Sequence, residues 1–372
     1  MAPKSLRLAA GGRGFKSWIS LGEKNGAPRT PSYVSYSIDS KLVIAVASSA
    51  LFDLHEADKI YREQKLEAYR LYQREHEDEV LAVGVAFPLI RRILSLNDKS
   101  SDYCPVEVVL LSRNDPDTGL RLFKSIEKHK LDITRAAFVG GRDPFRYLGA
   151  FNTCVFLSAN PSDVADAIAE NVPAGLVLPT NFIDDESDDE LRIAFDFDGV
   201  LADDSAEIVF QEQRLNKYLE SEVQNAGIPL PFGPLHRFFV EIARLQERER
   251  ARCEPQAGRT ARIRTAIVTA RSAPAHERLV TTLRSWGMQV DEAFFLGGME
   301  KASVLNAFKP HIFFDDQLTH ITGAADHVPC AHVLFGIANR IRSDGSDAGS
   351  IRRRQPGRAD SEPELQNRVI PA

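Results

Sequence analysis

The chain carries the same unit twice, and this limits its fold more than any other feature. At an offset of 149 residues, LVIAVASSALFDL from Leu42 lies over LRIAFDFDGVLAD from Leu191. Ile44 then meets Ile193 and Ala45 meets Ala194. Glu63, Gln64, Leu66 and Tyr69 meet Glu212, Gln213, Leu215 and Tyr218, and Gly84 meets Gly233. An extra stretch near 247–260 moves the offset to 157. There Arg121, Leu122, Ala136, Phe138, Gly140 and Gly141 meet Arg278, Leu279, Ala293, Phe295, Gly297 and Gly298. Leu148, Ala150, Phe151 and Phe156 likewise meet Leu305, Ala307, Phe308 and Phe313. Two long blocks matching in the same order indicate a duplication.

Each copy alternates short apolar runs with amphipathic stretches. Runs at 42–46, 107–111, 136–139 and 154–157 predict strands, and 58–73, 86–96 and 119–130 predict helices. In the second copy, 191–195, 265–268, 293–296 and 311–314 predict strands, and 205–225 and 234–250 helices. Strands separated by helices imply an α/β fold with a mainly parallel, Rossmann-like sheet. Ligands of such sheets bind beyond the carboxyl ends of the strands. The expected division is a first unit at 33–183, an acidic linker DDESDDE at 184–190, and a second unit at 191–342. The tails 1–32 and 343–372 lack apolar periodicity and are expected to be unstructured.

Composition excludes some partners. The net charge of −6 gives no basic excess of the kind a nucleic-acid binder needs. No apolar run approaches the ~20 residues of a membrane span. Cys104, Cys154, Cys253 and Cys330 form no C-x-x-C pair. They read as reduced structural thiols of a cytoplasmic protein. Self-association is compatible with the sequence.

The second copy places reactive groups after its strands. Asp196 and Asp198 follow LRIAF; two carboxylates at i and i+2 leave a strand end on the same side. One can attack phosphorus while the other handles the leaving-group proton. Both also offer hard oxygen donors suited to Mg²⁺. Thr269, Ala270 and Arg271 follow TAIV, where a hydroxyl and turn N–H groups can hold a phosphoryl oxygen. Lys301 opens a helix after Gly297-Gly298, and Asp315-Asp316 end the strand HIFF. Taken singly, each has a plain reading as a loop pair, a cap or a surface lysine. Their order is what carries the inference.

The order D-x-D, Thr, Lys, D-D resembles the haloacid dehalogenase-like phosphotransferase superfamily. The resemblance implies two tandem haloacid dehalogenase-type units, the second with a small helical cap near 203–250. It implies Asp196 as the nucleophile that forms an aspartyl-phosphate and Asp198 as general acid, then base. Thr269, Ala270, Arg271 and Lys301 would hold the phosphoryl group. Asp196, Asp198, Asp315 and Asp316 would hold Mg²⁺, with the direct ligand of the last pair left open.

Over about 33–336, the strings AVASSALFDL, QREHEDE, GVAFPLI, VTARSAPA, TLRSWGMQVDEAFFLGG and HIFFDDQ are similar to the cytosolic 5'-nucleotidase I family. That likeness implies Mg²⁺-dependent hydrolysis of nucleoside 5'-monophosphates. One departure is Asp196-Phe197-Asp198-Gly199-Val200, where the family pattern has a small residue after the nucleophile and alanine at 199.

The first copy has lost the set. Ala47, Ser49, Ser112, Pro144, Ser158 and Ala159 stand at the positions of Asp196, Asp198, Thr269, Lys301, Asp315 and Asp316. It is expected to be catalytically dead, serving as structure or contributing contacts through Arg113, Asn114 and Asp115. Phe210, Phe232 and Phe238 are candidates to stack on a base, against a plainer reading as core. Two other functions stay open: a phosphatase for a sugar phosphate or other small ester, and a non-catalytic nucleotide-binding regulator.

Overall fold

The computed structural model describes residues 38–101, 103–253 and 261–339. Both expected tails lie outside the described residues. The first copy supplies β1 (Leu42–Ala47), β2 (Val106–Ser112), β3 (Arg135–Phe138), β4 (Val155–Ser158) and β5 (Ala174–Leu178). The second supplies β6 (Leu191–Phe195), β7 (Ile263–Thr269), β8 (Glu292–Phe295), β9 (Ile312–Asp315) and β10 (Cys330–Val333). All ten form one sheet, ordered β3-β2-β1-β4-β5-β10-β9-β6-β7-β8. Only the central β5–β10 pair is antiparallel. Read outward from that pair, both halves have the same strand order.

The match extends to register. Leu42 pairs with Val106 and Leu191 with Ile263; Ile44 pairs with Val155 and Ile193 with Ile312. These partners lie at the offsets of the sequence repeat. Left-handed backbone recurs at the same offset. Gly140 and Gly141 have φ of 59° and 82°, and Gly297 and Gly298 have 58° and 87°. Asn152 and Lys309 also pair in this way, at 55° and 53°. An αL residue is costly unless it is glycine or a small polar side chain, so its recurrence marks a preserved chain path.

The strand and helix positions expected from periodicity are present. β5 and β10, the two strands that join the halves, are not among the expected strands. Each is short and follows a proline, Pro173 or Pro329. Their significance lies in pairing across more than 150 residues, which local periodicity does not reveal. The acidic segment 184–190 is also held down. Asp184 takes Arg91 and Arg92 at 3.0 and 2.8 Å, and Asp188 takes Arg192 at 2.7 Å.

One hydrophobic core runs through both halves. It joins Ile44 and Val46 of β1 to Ile193 and Phe195 of β6. It is covered by α3 (Phe87–Leu94) and α7 (His236–Cys253). α3 reaches β6 and α7 reaches β1, so each half covers part of the other. Phe238, Phe239 and Ile242 of α7 are fully buried there, each contributing about 2 kcal/mol of apolar burial. The stretch expected as a cap near 203–250 therefore divides. α7 covers the sheet, whereas α6 (Ser205–Gln224) faces the strand ends.

His311 ties the start of β9 to β6. Its Nδ1 accepts the backbone N–H of Arg192 at 3.0 Å, so the ring must be neutral. Burial, then Arg92 and Arg192, push it from 6.5 down to about 3. The unfolded chain takes up that proton near 6.5, so the stabilisation is present above this pH. It is lost as pH falls toward 3, at up to about 1.4 kcal/mol per pH unit. Wild type is expected to lose more melting temperature between pH 7 and pH 5 than His311→Asn, whose amide oxygen can accept the same bond. Equal losses in thermal melts contradict this.

Candidate active site

The second copy brings its reactive side chains to one end of the sheet because each follows a parallel strand. Asp196 leaves β6 with its N–H donated to the Phe314 carbonyl at 2.8 Å. Lys301 is the first residue of α9 (Lys301–Phe308) and is 3% exposed. Its Nζ lies 2.8 Å from Asp196 Oδ2 and 2.7 Å from Asp315 Oδ2. The helix start therefore delivers a buried ammonium between two buried carboxylates. Thr269 ends β7, and its hydroxyl accepts the Arg271 N–H at 3.2 Å. Ala270 is exposed beside it.

Asp315 and Asp316 are not equivalent. Asp315 Oδ2 accepts from Lys301, Oδ1 accepts the Gln317 N–H at 2.8 Å, and His320 Nδ1 lies 3.2 Å away. Burial acts against it, yet Lys301 and His320 hold the Asp315 carboxyl below its ordinary value. Asp316 is 2% exposed, and its Oδ1 has no partner among the described residues. Burial, then the Asp196 and Asp315 carboxylates, push Asp316 up to about 9. Burial likewise pushes Asp196 up to about 7, against the pull of Lys301. Three acids thus crowd one lysine, a site short of positive charge.

Gly199 backs this cluster. Its φ is +71°, and an added Cβ would lie 2.3 Å from Asp316 Oδ2. Glycine at 199 therefore fits both the left-handed turn and the close carboxylate. Phe197, the other departure from the family pattern, is fully buried with its ring 6.1 Å from Trp286. Its bulk goes into the core, while its N–H donates to Asp196 Oδ1 at 2.7 Å.

Asp198 and Arg271 face each other. Arg271 Nε and Nη2 donate to the two oxygens of Asp198, both at 2.7 Å. Its Nη1 donates to Glu222 of α6. The guanidinium expected on the phosphate thus bonds two carboxylates in this structure. Among the stacking candidates, Phe238 is core, Phe210 is half-exposed against Tyr218, and Phe232 is exposed on the His236 ring.

Several polar residues here carry no sequence signal of their own. His320 lies in the first turn of the helix Leu318–Ala325. His332 of β10 and Asn339 each meet the Asp316 carbonyl at 2.9 Å. Glu222 lies in an ordinary amphipathic helix. A ligand atom from each of Asp196, Asp315 and His320 falls within one 4.8 Å cluster. For a hard cation the oxygens of Asp196 and Asp316 suit better than this imidazole, which is engaged with Asp315.

The first copy closes the same region with hydroxyl contacts and ion pairs of its own. Ser48 Oγ lies 3.4 Å from Ser112 Oγ, and Ser158 donates to Asp163. Arg113 pairs with Asp163 and Asp166, and Asp115 with Arg70. The polar residues at that strand end are thus engaged internally.

Comparison with known proteins shows the family of the chain. The 5'-nucleotidase family model matches residues 34–340. Human cytosolic 5'-nucleotidase 1B is 36% identical over 294 residues, covering 76% of this chain and 47% of the relative. The chain spans about half the length of that relative. No solved structure gives a significant match. Among the described residues, no helix is long and apolar enough to cross a membrane. The matched span takes in both halves of the sheet and the whole acid–lysine cluster, and the chain belongs to the 5'-nucleotidase family, as the resemblance in its motifs anticipated.

Proposed function

We propose that the second copy hydrolyses nucleoside 5'-monophosphates, with Asp196 as nucleophile and Mg²⁺ as cofactor, in a cytoplasmic setting. The observation that carries this reading is the buried Asp196–Lys301–Asp315 cluster, with Asp316 beside it, whose Oδ1 has no partner among the described residues. In this reading the two halves of the sheet are tandem haloacid dehalogenase-type units. The boundary falls at 184–190, and the first unit is degenerate.

The donor set suits Mg²⁺. Asp196 and Asp316 offer carboxylate oxygens, Asp198 a backbone carbonyl, and the cluster has more acids than the one lysine can balance. Asp316 is assigned as the direct carboxylate ligand of its pair, because Lys301, His320 and Gln317 already occupy Asp315. Bound Mg²⁺ would supply charge neutralisation between the phosphate and the attacking carboxylate.

The protein groups then have defined tasks. An Asp196 oxygen bonds to phosphorus as the bond to the nucleoside 5'-oxygen breaks, and Asp198 gives that oxygen its proton. Water next attacks phosphorus and Asp198 takes its proton, which frees Asp196 and phosphate. Lys301 and the Thr269 turn stabilise charge on the phosphoryl oxygens. Such positioning and electrostatics carry most of the catalysis in phosphoryl transfer.

The test is phosphate release from AMP, IMP, CMP and glucose 6-phosphate, with Mg²⁺ and with EDTA. Release from the nucleotides only, lost in EDTA, is expected. Release from the sugar phosphate alone would keep the chemistry and remove the nucleotide assignment.

A further inference from the structure

Arg271 is 3% exposed and Glu222 is 1% exposed, yet both are charged. Arg271 forks onto Asp198 with two bonds of 2.7 Å. On its other side it meets Glu222, and its Nη1 also donates to the Ala275 carbonyl at 3.0 Å. Glu222 in turn takes Arg278 of α8 (His276–Ser285) at 2.8 Å. Four charges alternate in sign from α8 through α6 to the D-x-D loop. A two-pronged guanidinium–carboxylate contact fixes orientation more tightly than a single charge does.

The first copy supplies an internal control. Position by position, Ser49, Asn114, Gln73 and Arg121 stand for Asp198, Arg271, Glu222 and Arg278. The outer contact survives, with Arg121 Nη1 donating to Gln73 at 3.3 Å. Tyr69, the counterpart of Tyr218, interacts with Gln73 and Asn114. The same architecture therefore stands without charge at the 222 and 271 positions. Those charges are absent from the copy that lacks the D-x-D acids. A purely architectural role gives no reason for that coincidence.

We propose that Glu222 and Arg271 form a positioning relay, in which the α6 helix sets the orientation of Asp198 for proton transfer. The proposal rests on the hydrolase reading above. Both residues act through the Asp198 carboxylate, which Arg271 holds by both oxygens and Glu222 reaches only through Arg271. Arg271 aims the Asp198 carboxylate, and Glu222 holds Arg271 from the helix that faces the site.

The first copy also shows which substitutions the fold accepts: Glu222→Gln and Arg271→Asn. In the full-length chain with AMP and Mg²⁺, Glu222→Gln is expected to lower kcat about tenfold and Arg271→Asn about a hundredfold, with KM within about twofold. Melting temperatures should stay near wild type in Glu222→Gln and in the double variant, whose 222 and 271 positions match the first copy, whereas Arg271→Asn alone leaves the buried Glu222 with Arg278 as its remaining partner and should melt lower. Because the two act as a unit, the double variant should lose no more than Arg271→Asn alone. Turnover within about twofold of wild type in both single variants overturns the relay. So does a loss of kcat matched by an equal rise in KM and a fall in melting temperature, or losses that multiply in the double variant. Inactivity of the wild type on every ester would instead remove the hydrolase reading, a result distinct from failure of the relay.

Discussion

Asp196→Asn is expected to remove phosphate release from nucleoside 5'-monophosphates by at least about a thousandfold. The amide cannot form the acyl-phosphate, while the shape of the site is kept. Stability should move the other way. Three buried acids share one lysine in the absence of metal, and burial and mutual repulsion hold Asp196 and Asp316 above their ordinary values. Removing one of those charges relieves the repulsion, so the metal-free variant should melt at or above wild type. Activity assays and metal-free melts together check the assignment. Turnover within tenfold of wild type would contradict it.

Lys301→Ala should fail in both respects. The lysine bridges Asp196 and Asp315 at 2.8 and 2.7 Å, with almost no exposure to water. Burial acts against its charge, yet those two carboxylates hold it well above its ordinary value. Removing one partner of a buried ionic group leaves uncompensated charge, at a cost of about 3–5 kcal/mol. In a chain of this size that corresponds to a fall of about 5 °C in melting temperature. Turnover should fall by about a hundredfold or more as the phosphoryl charge loses its cation. Saturating Mg²⁺ should restore part of the stability and little of the activity. A variant that melts like wild type would show that the ammonium is not buried between the acids.

Much of this was legible in the sequence because the chain repeats. The offsets of 149 and 157 anticipate the paired registers of β1–β2 and β6–β7. The D-x-D, Lys and D-D positions do converge at the strand ends. Strand periodicity reveals such points because a parallel sheet delivers them to one edge. What was not legible depends on tertiary pairing. β5 and β10 gain their role from each other, and nothing local distinguishes them. A lysine at a helix start looks solvated in sequence; only the packed fold shows it between two carboxylates. Arg271 follows a phosphate-type turn, which suggests a phosphate contact. Its actual partners, Asp198 and Glu222, lie 73 and 49 residues away. α7 carries the same amphipathic pattern as a cap helix would, and its burial against β1 and β7 decides its place.

The proposed reaction passes through a phosphorylated Asp196. Its most direct test is acid quenching of the full-length chain during turnover of a phosphate-labelled nucleoside 5'-monophosphate with Mg²⁺, followed by peptide mapping. Label confined to the peptide that carries Asp196, and absent in Asp196→Asn, is the expected result. Steady product formation with no labelled protein, or with label on another residue, would contradict it.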